Sequence, residues 1–407
     1  MKLKKYKLGE ILDVTRGASL SGEFYATEGK YIRLTCGNFD YQNNCFKENK
    51  SKDNLYYVGN FKPEFLMEKG DIITPLTEQA IGLLGSTAII PESGKYIQSQ
   101  DVAKIVCKEN LLDKDFAFYL ISSDVVKQQL SAAAQQTKIR HTSPDKIKDC
   151  IVWIPELTEQ KRIGKLLRNL DSKIELNRRI NQNLEAMAKQ LYDYWFVQFD
   201  FPNEEGKPYK SSGGKMVWNE KLKREIPKDW KVTNIGNILG KVISTPRLST
   251  NEYLADGIYP VIDQTTEVYY AGFTNRKEAV VGQYPAVVFG DHSCAVKYVN
   301  FPFVRGADGT QVMLSNNANI SIEYLYFVVK NIKIGKGYAR HYSFLKEQLI
   351  VFPSNVIAGK FEKITQNLME QITRNRKENQ ELTKLRNELL PLLMNGQVSV
   401  NSDLSDD

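Results

Sequence analysis

The chain is poor in the residues that build small-molecule and metal chemistry. Only three histidines (His141, His292, His341) are scattered through 407 residues. The five cysteines (Cys36, Cys45, Cys107, Cys150, Cys294) show no C-x-x-C spacing, so no zinc-type ligand set can be read from the sequence. An odd number of thiols also argues against a disulfide framework and for reduced cysteines in the cytoplasm. No Pro-Pro dipeptide occurs, which removes the Asp/Asn-Pro-Pro-aromatic loop of amino-methyltransferases. No G-x-G-x-x-G follows a strand and no G-x-x-x-x-G-K-[S/T] is present, so neither a dinucleotide nor a P-loop nucleotide site is expected. No apolar run approaches the roughly 18 residues of a membrane span, and the basic start "MKLKKYKLGEILDV" lacks an apolar stretch behind it. Pro144-Asp145 followed by Asp171-Ser172-Lys173 mimics a metal-dependent nuclease spacing, but Asp171 to Lys173 fall in a helical pattern where a solvated charged face accounts for them. These absences lead us to expect a non-catalytic, soluble, cytoplasmic protein with no membrane segment and neither metal nor cofactor of its own.

What remains is an ordinary globular composition, 42% hydrophobic and 25% charged, with a net charge of +7. That charge permits a polyanionic partner without requiring one, because the basic residues are spread along the chain. The length exceeds one typical core, so two or more domains are expected.

The chain repeats itself. "VWIPELTEQKRIGKLLRNLDSKIELNRRINQNLEAMAKQL" is echoed by "VFPSNVIAGKFEKITQNLMEQITRNRKENQELTKLRNELL", 198 positions on from Pro155 to Pro353, without a gap. Leu170 then matches Leu368, Ile174 matches Ile372, Leu184 matches Leu382 and Leu191 matches Leu389. Asn177 matches Asn375, and Asn181 matches Asn379. Each repeat follows a region of short β-like runs broken by Gly, Pro and Asn. The two regions begin alike, with "YKLGEIL" and "WKVTNIGNIL", and each carries an Arg-His pair before its last strand, Arg140-His141 and Arg340-His341.

Steps of four and three along the first long segment give Ile163, Leu167, Leu170, Ile174, Asn177, Asn181, Leu184, Ala188, Leu191 and Trp195. This is a heptad seam interrupted by two amides. A single amphipathic core helix would show part of the same pattern; two segments of about 40 residues in matching register favour pairing with each other. If the first helix runs from one globular region to the next, the second must run back, so the pair is antiparallel. Asn177 then faces Asn379, Asn181 faces Asn375, and Leu170 meets Arg386 poorly. Buried amides that satisfy one another would fix register, since a slip would leave them unpaired. A helix of that length spans about 60 Å, and DNA readers one helical turn apart sit about 34 Å centre to centre. Such a bar could therefore act as a ruler for a split DNA site, or for any other two-headed ligand.

Several stretches resemble a known family. "IPELTEQKRIGKLL", "LYDYWFVQFDFP", "SSGGKMVWNEKLKREIPKDWKVTNIGNI", "LRNELLPLLMNGQV" and "EKGDIITPLTEQAIGLLGSTAII" look like the specificity (S) subunit of type I restriction–modification systems, over essentially the full length. The resemblance implies two target-recognition domains, each reading one half of a bipartite, gapped site in double-stranded DNA. It also implies an antiparallel helical spacer that docks two methyltransferase (M) subunits, in an assembly that recruits restriction/translocase (R) subunits. S-adenosylmethionine, ATP and Mg2+ would then belong to those partners. The second helix begins "FPSNVIAGKFEKI" and lacks the "TEQKRI" of the first, which puts equivalence of the two docking surfaces in doubt.

The expected fold class is α+β or α/β: two mixed domains joined by two long helices in an antiparallel coiled coil, with a pseudo-twofold internal repeat. The expected segments are a recognition domain over 1–155, a helical spacer over 156–201 and a linker over 202–229. A second recognition domain over 230–353, a second spacer over 354–399 and a disordered tail over 400–407 complete the chain. DNA-contact candidates are Thr15, Arg16 and Ser19 with Gln136, Lys138, Arg140 and His141 in the first domain. In the second they are Thr245 and Arg247 with Lys336, Tyr338, Arg340 and His341. Arg33, Gln264, His292 and Arg305 are weaker candidates, and for each an exposed, merely solvated side chain is the competing reading. The aromatic run Tyr192, Tyr194, Trp195, Phe196 and Phe199 packs on the following domain or forms part of a docking surface. A two-headed scaffold that binds no DNA is the alternative from another functional class.

Overall fold

The computed structural model describes residues 2–41, 43–78, 82–133, 140–334, 341–353 and 355–400. It combines helices and sheets in two compact units, residues 1–175 with 379–407 and residues 176–378. The boundary between the units falls inside each of the two long helices, Leu157–Tyr192 and Asn355–Met394.

The first unit ties its ends together. Strand Lys4–Lys7 runs antiparallel to Ile151–Ile154, with Lys4 opposite Ile154, immediately before the long helix starts. The outer residues Ile151 and Trp153 are exposed while Val152 and Ile154 are buried, the alternation of a strand with one wet face. Inside lie two four-stranded sheets. One has the order Ala88–Ile89, Ile72–Pro75, Val102–Cys107, Leu12–Arg16; the other has Tyr96–Ile97, Tyr31–Arg33, Tyr56–Tyr57, Tyr25–Ala26. Helix Lys114–Ile121 is capped by Asp113, whose carboxylate accepts the Phe116 N–H at 2.9 Å. Its Phe116 and Leu120 join Leu12, Ile105, Val152, Ile163, Leu167 and Leu393 in one core. Thus the first turns of one long helix and the last turns of the other pack on this domain.

The second unit repeats the plan. Strand Lys231–Asn234 pairs antiparallel with Leu349–Phe352. Its sheets are Gly272–Thr274, Tyr259–Ile262, Phe303–Arg305, Val280–Val281 and, separately, Val296–Val299, Ala286–Gly290, Thr310–Met313. Helix Ile322–Asn331 takes the place of Lys114–Ile121, with Ser321 as its cap. Tyr192, Trp195 and Phe196, most of them on a π turn that extends the first long helix over Asp193–Val197, pack among Tyr324, Phe327 and Phe361. Packing is therefore what this aromatic run does, although Tyr194 remains exposed.

Within each unit the helices run antiparallel. In the first, Asp171 meets Arg386, and the Asn379 amide donates to the Ile174 carbonyl at 3.1 Å. In the second, Asn375 donates to the Asn181 carbonyl oxygen at 2.8 Å, Asn181 donates to the Ile372 carbonyl at 3.2 Å, and Asn177 donates to the Glu378 carboxylate at 2.6 Å. The four amides thus use backbone and carboxylate partners as well as one another, because an amide has both a donor and an acceptor to satisfy. Two expectations need correction. Asp171 is no member of a solvated face: it holds the buried Arg386, which explains why a cation occupies that seam position. The segment 202–229 is folded, not a loose linker. It carries a hairpin, Met216–Asn219 with Arg224–Pro227, and stacks Tyr209 on Phe201 and Phe201 on Trp230 with centroids 4.6 and 5.0 Å apart. At the other end, Val400 is tethered through its N–H to Glu159 at 3.2 Å, while 401–407 of the expected tail lie outside the described residues.

Candidate nucleic-acid interface

Each domain gathers its loops at one platform, and the same bonds build both. In the first, Ala18 forms a parallel bridge with Ser99, and the Ala18 N–H donates to the Gln98 carbonyl at 3.0 Å. In the second, Leu248 bridges Gly306 in the same sense, and its N–H donates to the Arg305 carbonyl at 3.0 Å. Three residues before each bridging residue stands a threonine whose carbonyl is clasped by the side chain just before the bridge partner. Gln98 Nε2 donates to the Thr15 carbonyl at 2.7 Å, and Arg305 Nη2 donates to the Thr245 carbonyl at 2.9 Å. The loops that follow are tied likewise. Leu76 N–H reaches the Asp101 carbonyl at 2.8 Å and Thr142 N–H reaches Leu76; Asp291 N–H reaches Gly309 at 2.8 Å and His341 N–H reaches Asp291. Gly17 sits so close to the Gln98 and Ser99 carbonyls that a Cβ there would fall 2.4 Å from either oxygen.

This frame sorts the candidates. Thr15, Arg16 and Ser19 are exposed on the first platform, and Arg16 is steadied by donating Nε to the Gln100 carbonyl at 2.9 Å. Arg140 and His141 form a short strand against Thr77–Glu78, and exposed His141 lies 3.3 Å through Nδ1 from the Thr77 hydroxyl. On the second platform Arg247 is exposed. Two expectations fail there. The Thr245 hydroxyl is buried and its carbonyl is occupied by Arg305, so Thr245 shapes the loop. His341 is buried under the platform as the first residue of helix His341–Glu347. Arg33 is buried too, with its guanidinium 3.8 Å from the centroid of Tyr25. Gln136, Lys138, Lys336, Tyr338 and Arg340 lie outside the described residues. Sequence reasoning missed the roles of Gln98 and Gln264, since a loop glutamine carries no signal of which carbonyl it will reach.

Burial pushes the Cys36, Cys107 and Cys150 thiols up to about 11, away from the thiolate a nucleophile needs. Among the described residues no three or more His, Cys, Asp or Glu side chains gather as a metal site, and no helix is long and apolar enough to cross a membrane.

Residues 2–186 match the type I restriction modification DNA specificity domain family. The specificity subunit of the type I restriction enzyme MjaIX from Methanocaldococcus jannaschii is 26% identical over 329 residues, 74% of this chain and 73% of that protein. The specificity subunit of HindI from Haemophilus influenzae is 23% identical over 97% of this chain and 99% of its own. Over these stretches the chain is similar to the specificity subunits of type I restriction enzymes. The fold agrees: the crystal structure of a type I restriction–modification S subunit from M. genitalium superposes with a TM-score of 0.59 at 17% identity, covering 97% of this chain and 96% of that one. Arg, His, Thr and Ser are the side-chain types that contact phosphates and base edges in protein–DNA interfaces.

Proposed function

We propose that this chain is the DNA sequence-specificity subunit of a type I restriction–modification complex. Its two domains read the two halves of a bipartite, gapped site in double-stranded DNA, and the paired long helices act as a ruler that holds the readers at fixed spacing. The chain is the scaffold on which two methyltransferase subunits and the restriction subunits assemble. Catalysis, with S-adenosylmethionine, ATP and Mg2+, is the work of those partners in the cytoplasm.

The observation that carries this reading is the duplicated clasp, Gln98 on the Thr15 carbonyl and Arg305 on the Thr245 carbonyl. A split target calls for two copies of one reading frame with different exposed side chains. The clasp keeps the frame while the exposed arginine differs in place, Arg16 one residue after its threonine in one copy and Arg247 two residues after it in the other. Contacts to phosphates would add affinity that falls with salt, and base-edge contacts would add discrimination.

The test is to co-express the chain with a cognate methyltransferase subunit and map N6-methyladenine across the host DNA. A single gapped motif is expected, one half of which changes when residues 1–155 or 230–353 are exchanged for another recognition domain. A contiguous motif would overturn the ruler. No new methylation from a complex that does assemble would favour a scaffold that binds no DNA.

A further inference from the structure

We propose that Arg247 and His292 are the base-reading pair of the second domain and that Gln264 is the residue that positions them. The inference rests on the DNA-recognition reading above and deepens it. Loops around Arg247, Gln264, His292 and Asp308 meet at this platform, and Gln264 fastens three of them. Its Nε2 donates to the Asp308 carbonyl at 3.0 Å, its Oε1 accepts the His292 N–H at 3.1 Å, and its own carbonyl accepts the Ser293 hydroxyl at 2.6 Å. One bond from each end of the amide goes to the protein, which fixes the side chain's orientation between the two loops.

Its three partners sit where backbone freedom has been given up. Gly309 is at φ +87°, and a Cβ there would fall 2.9 Å from His292 Cδ2 and 3.1 Å from Gln264 Nε2. Cys294 and Ala307 take left-handed conformations, φ 56° and 29°, which non-glycine residues adopt only when the surroundings impose them. The loop that carries Arg247 is bolted to the same frame: Leu248 donates to Arg305, and Ala307 donates back to Leu248 at 2.7 Å. A rigid frame of this kind holds side chains to the tolerance that base-edge recognition needs.

Among the described residues, Arg247 and His292 stand exposed on that frame with donors to spare. Arg247 lies near the Arg305 guanidinium and pairs with the fully exposed Asp308 at 3.9 Å, a pairing that water weakens. The His292 backbone is held by Gln264, and its ring is exposed. A guanidinium fork donates to paired acceptors such as O6 and N7 of a guanine in the major groove, and an imidazole adds ring nitrogens that donate or accept according to its tautomer. The Thr245 hydroxyl and Arg305 Nε are buried beside the clasp and His341 is buried, so these three are not in this set.

The experiment uses the full chain in complex with its methyltransferase subunit, with the methylated motif as the readout. Arg247→Ala and His292→Ala should each reduce discrimination about 10- to 100-fold at a base pair in one and the same half of the motif, with the other half intact. Gln264→Met, of similar length and without the amide, should relax both positions. Gln264→Glu keeps the acceptor for His292 and loses the donor to Asp308, so it should disturb the Arg247 position and spare that of His292, a pattern that general destabilisation would not give. Arg247→Lys, which leaves the fold untouched, should reproduce the loss at the Arg247 position. An unchanged motif for Arg247→Ala and His292→Ala, or equal weakening on all sequences, would overturn the readers. An unchanged motif for both Gln264 variants would overturn its positioning role. If the wild-type complex marks no motif at all, the recognition reading itself falls.

Discussion

Arg386 Nη1 lies 2.7 Å from Asp171 Oδ1, with the two side chains only 8% and 18% exposed. Asp171 also accepts the Tyr119 hydroxyl at 2.5 Å, and Arg386 also donates to the Asn43 carbonyl at 3.3 Å. A paired charge withdrawn from water is held by its partners, and deleting one member strands the other. Arg386→Met should therefore lower the stability of the first unit by about 3 kcal/mol. Asp171→Leu combined with Arg386→Met should recover most of the loss, because two apolar side chains suit a heptad seam. Urea unfolding of the two variants beside wild type checks this, and a double variant no better than the single would refute it.

The Asn181–Asn375 pair makes a separate case. Asn375 donates to Asn181 at 2.8 Å and accepts from Gln371 at 2.7 Å, so both amides are engaged in the second unit. Asn375→Leu alone should destabilise by about 2 kcal/mol, since it leaves the Asn181 carbonyl without that donor. Substituting both with Leu should lose much less. A double-mutant cycle should give a coupling of about 1 kcal/mol or more, and zero coupling would mean the pair does not act as a unit.

The long helices and their amide interruptions were legible because heptad spacing and a gapless 198-residue repeat are periodic signals that survive in one sequence. The like openings "YKLGEIL" and "WKVTNIGNIL" show that the two regions start alike, although short local likeness does not say that each start is a strand. The linker was misread: its Gly, Ser and Lys content matched a flexible segment, yet Phe201, Tyr209 and Trp230 stack through it. Arg386 looked like a mismatch because its partner is the neighbour of the residue the register pointed to, a shift that periodicity cannot resolve. The platforms were half visible. Residue type flagged Arg16, Arg247 and His141, but the clasps on the Thr15 and Thr245 carbonyls join residues 83 and 60 positions apart. Such long-range bonds leave no local pattern, and so residue type alone points to His341, which is buried, and to Thr245, whose hydroxyl is buried.

Gln160 shows how the "TEQKRI" start differs from its counterpart. It is buried, accepts the Asp113 N–H at 2.9 Å and donates to the Leu111 and Pro155 carbonyls at 3.1 and 2.9 Å. The residue 198 positions on is Ala358, also buried, where no such clasp can form. Gln160→Leu should destabilise the first unit by about 2–4 kcal/mol, from buried groups left unsatisfied. Ala358→Gly, which removes no hydrogen bond, should stay near the roughly 1 kcal/mol of a helical glycine. Thermal or urea midpoints of the two variants decide it, and equal losses would show that Gln160 does no more than fill space.

Lys297 gives a pH signature that is opposite in sign to that of an ordinary surface lysine pair. Burial lowers its pKa to about 8, a shift that nearby Asp263, 3.9 Å away, opposes only in part. Its ammonium donates to the Val268 and Tyr269 carbonyls at 3.0 and 3.2 Å. In the unfolded chain the same group titrates near about 10.4. Between those two values the unfolded state carries a proton that the folded state has released, so this group's contribution to stability increases as pH rises through the window and is constant below it. The increase should amount to about 2 kcal/mol between pH 7.5 and 10. Lys297→Met should abolish that portion of the rise while leaving the slope below pH 7 unchanged. Urea unfolding of both proteins at pH 7.5 and 9.5 measures it, and parallel curves for the two would mean that Lys297 keeps its proton in the folded state across the range.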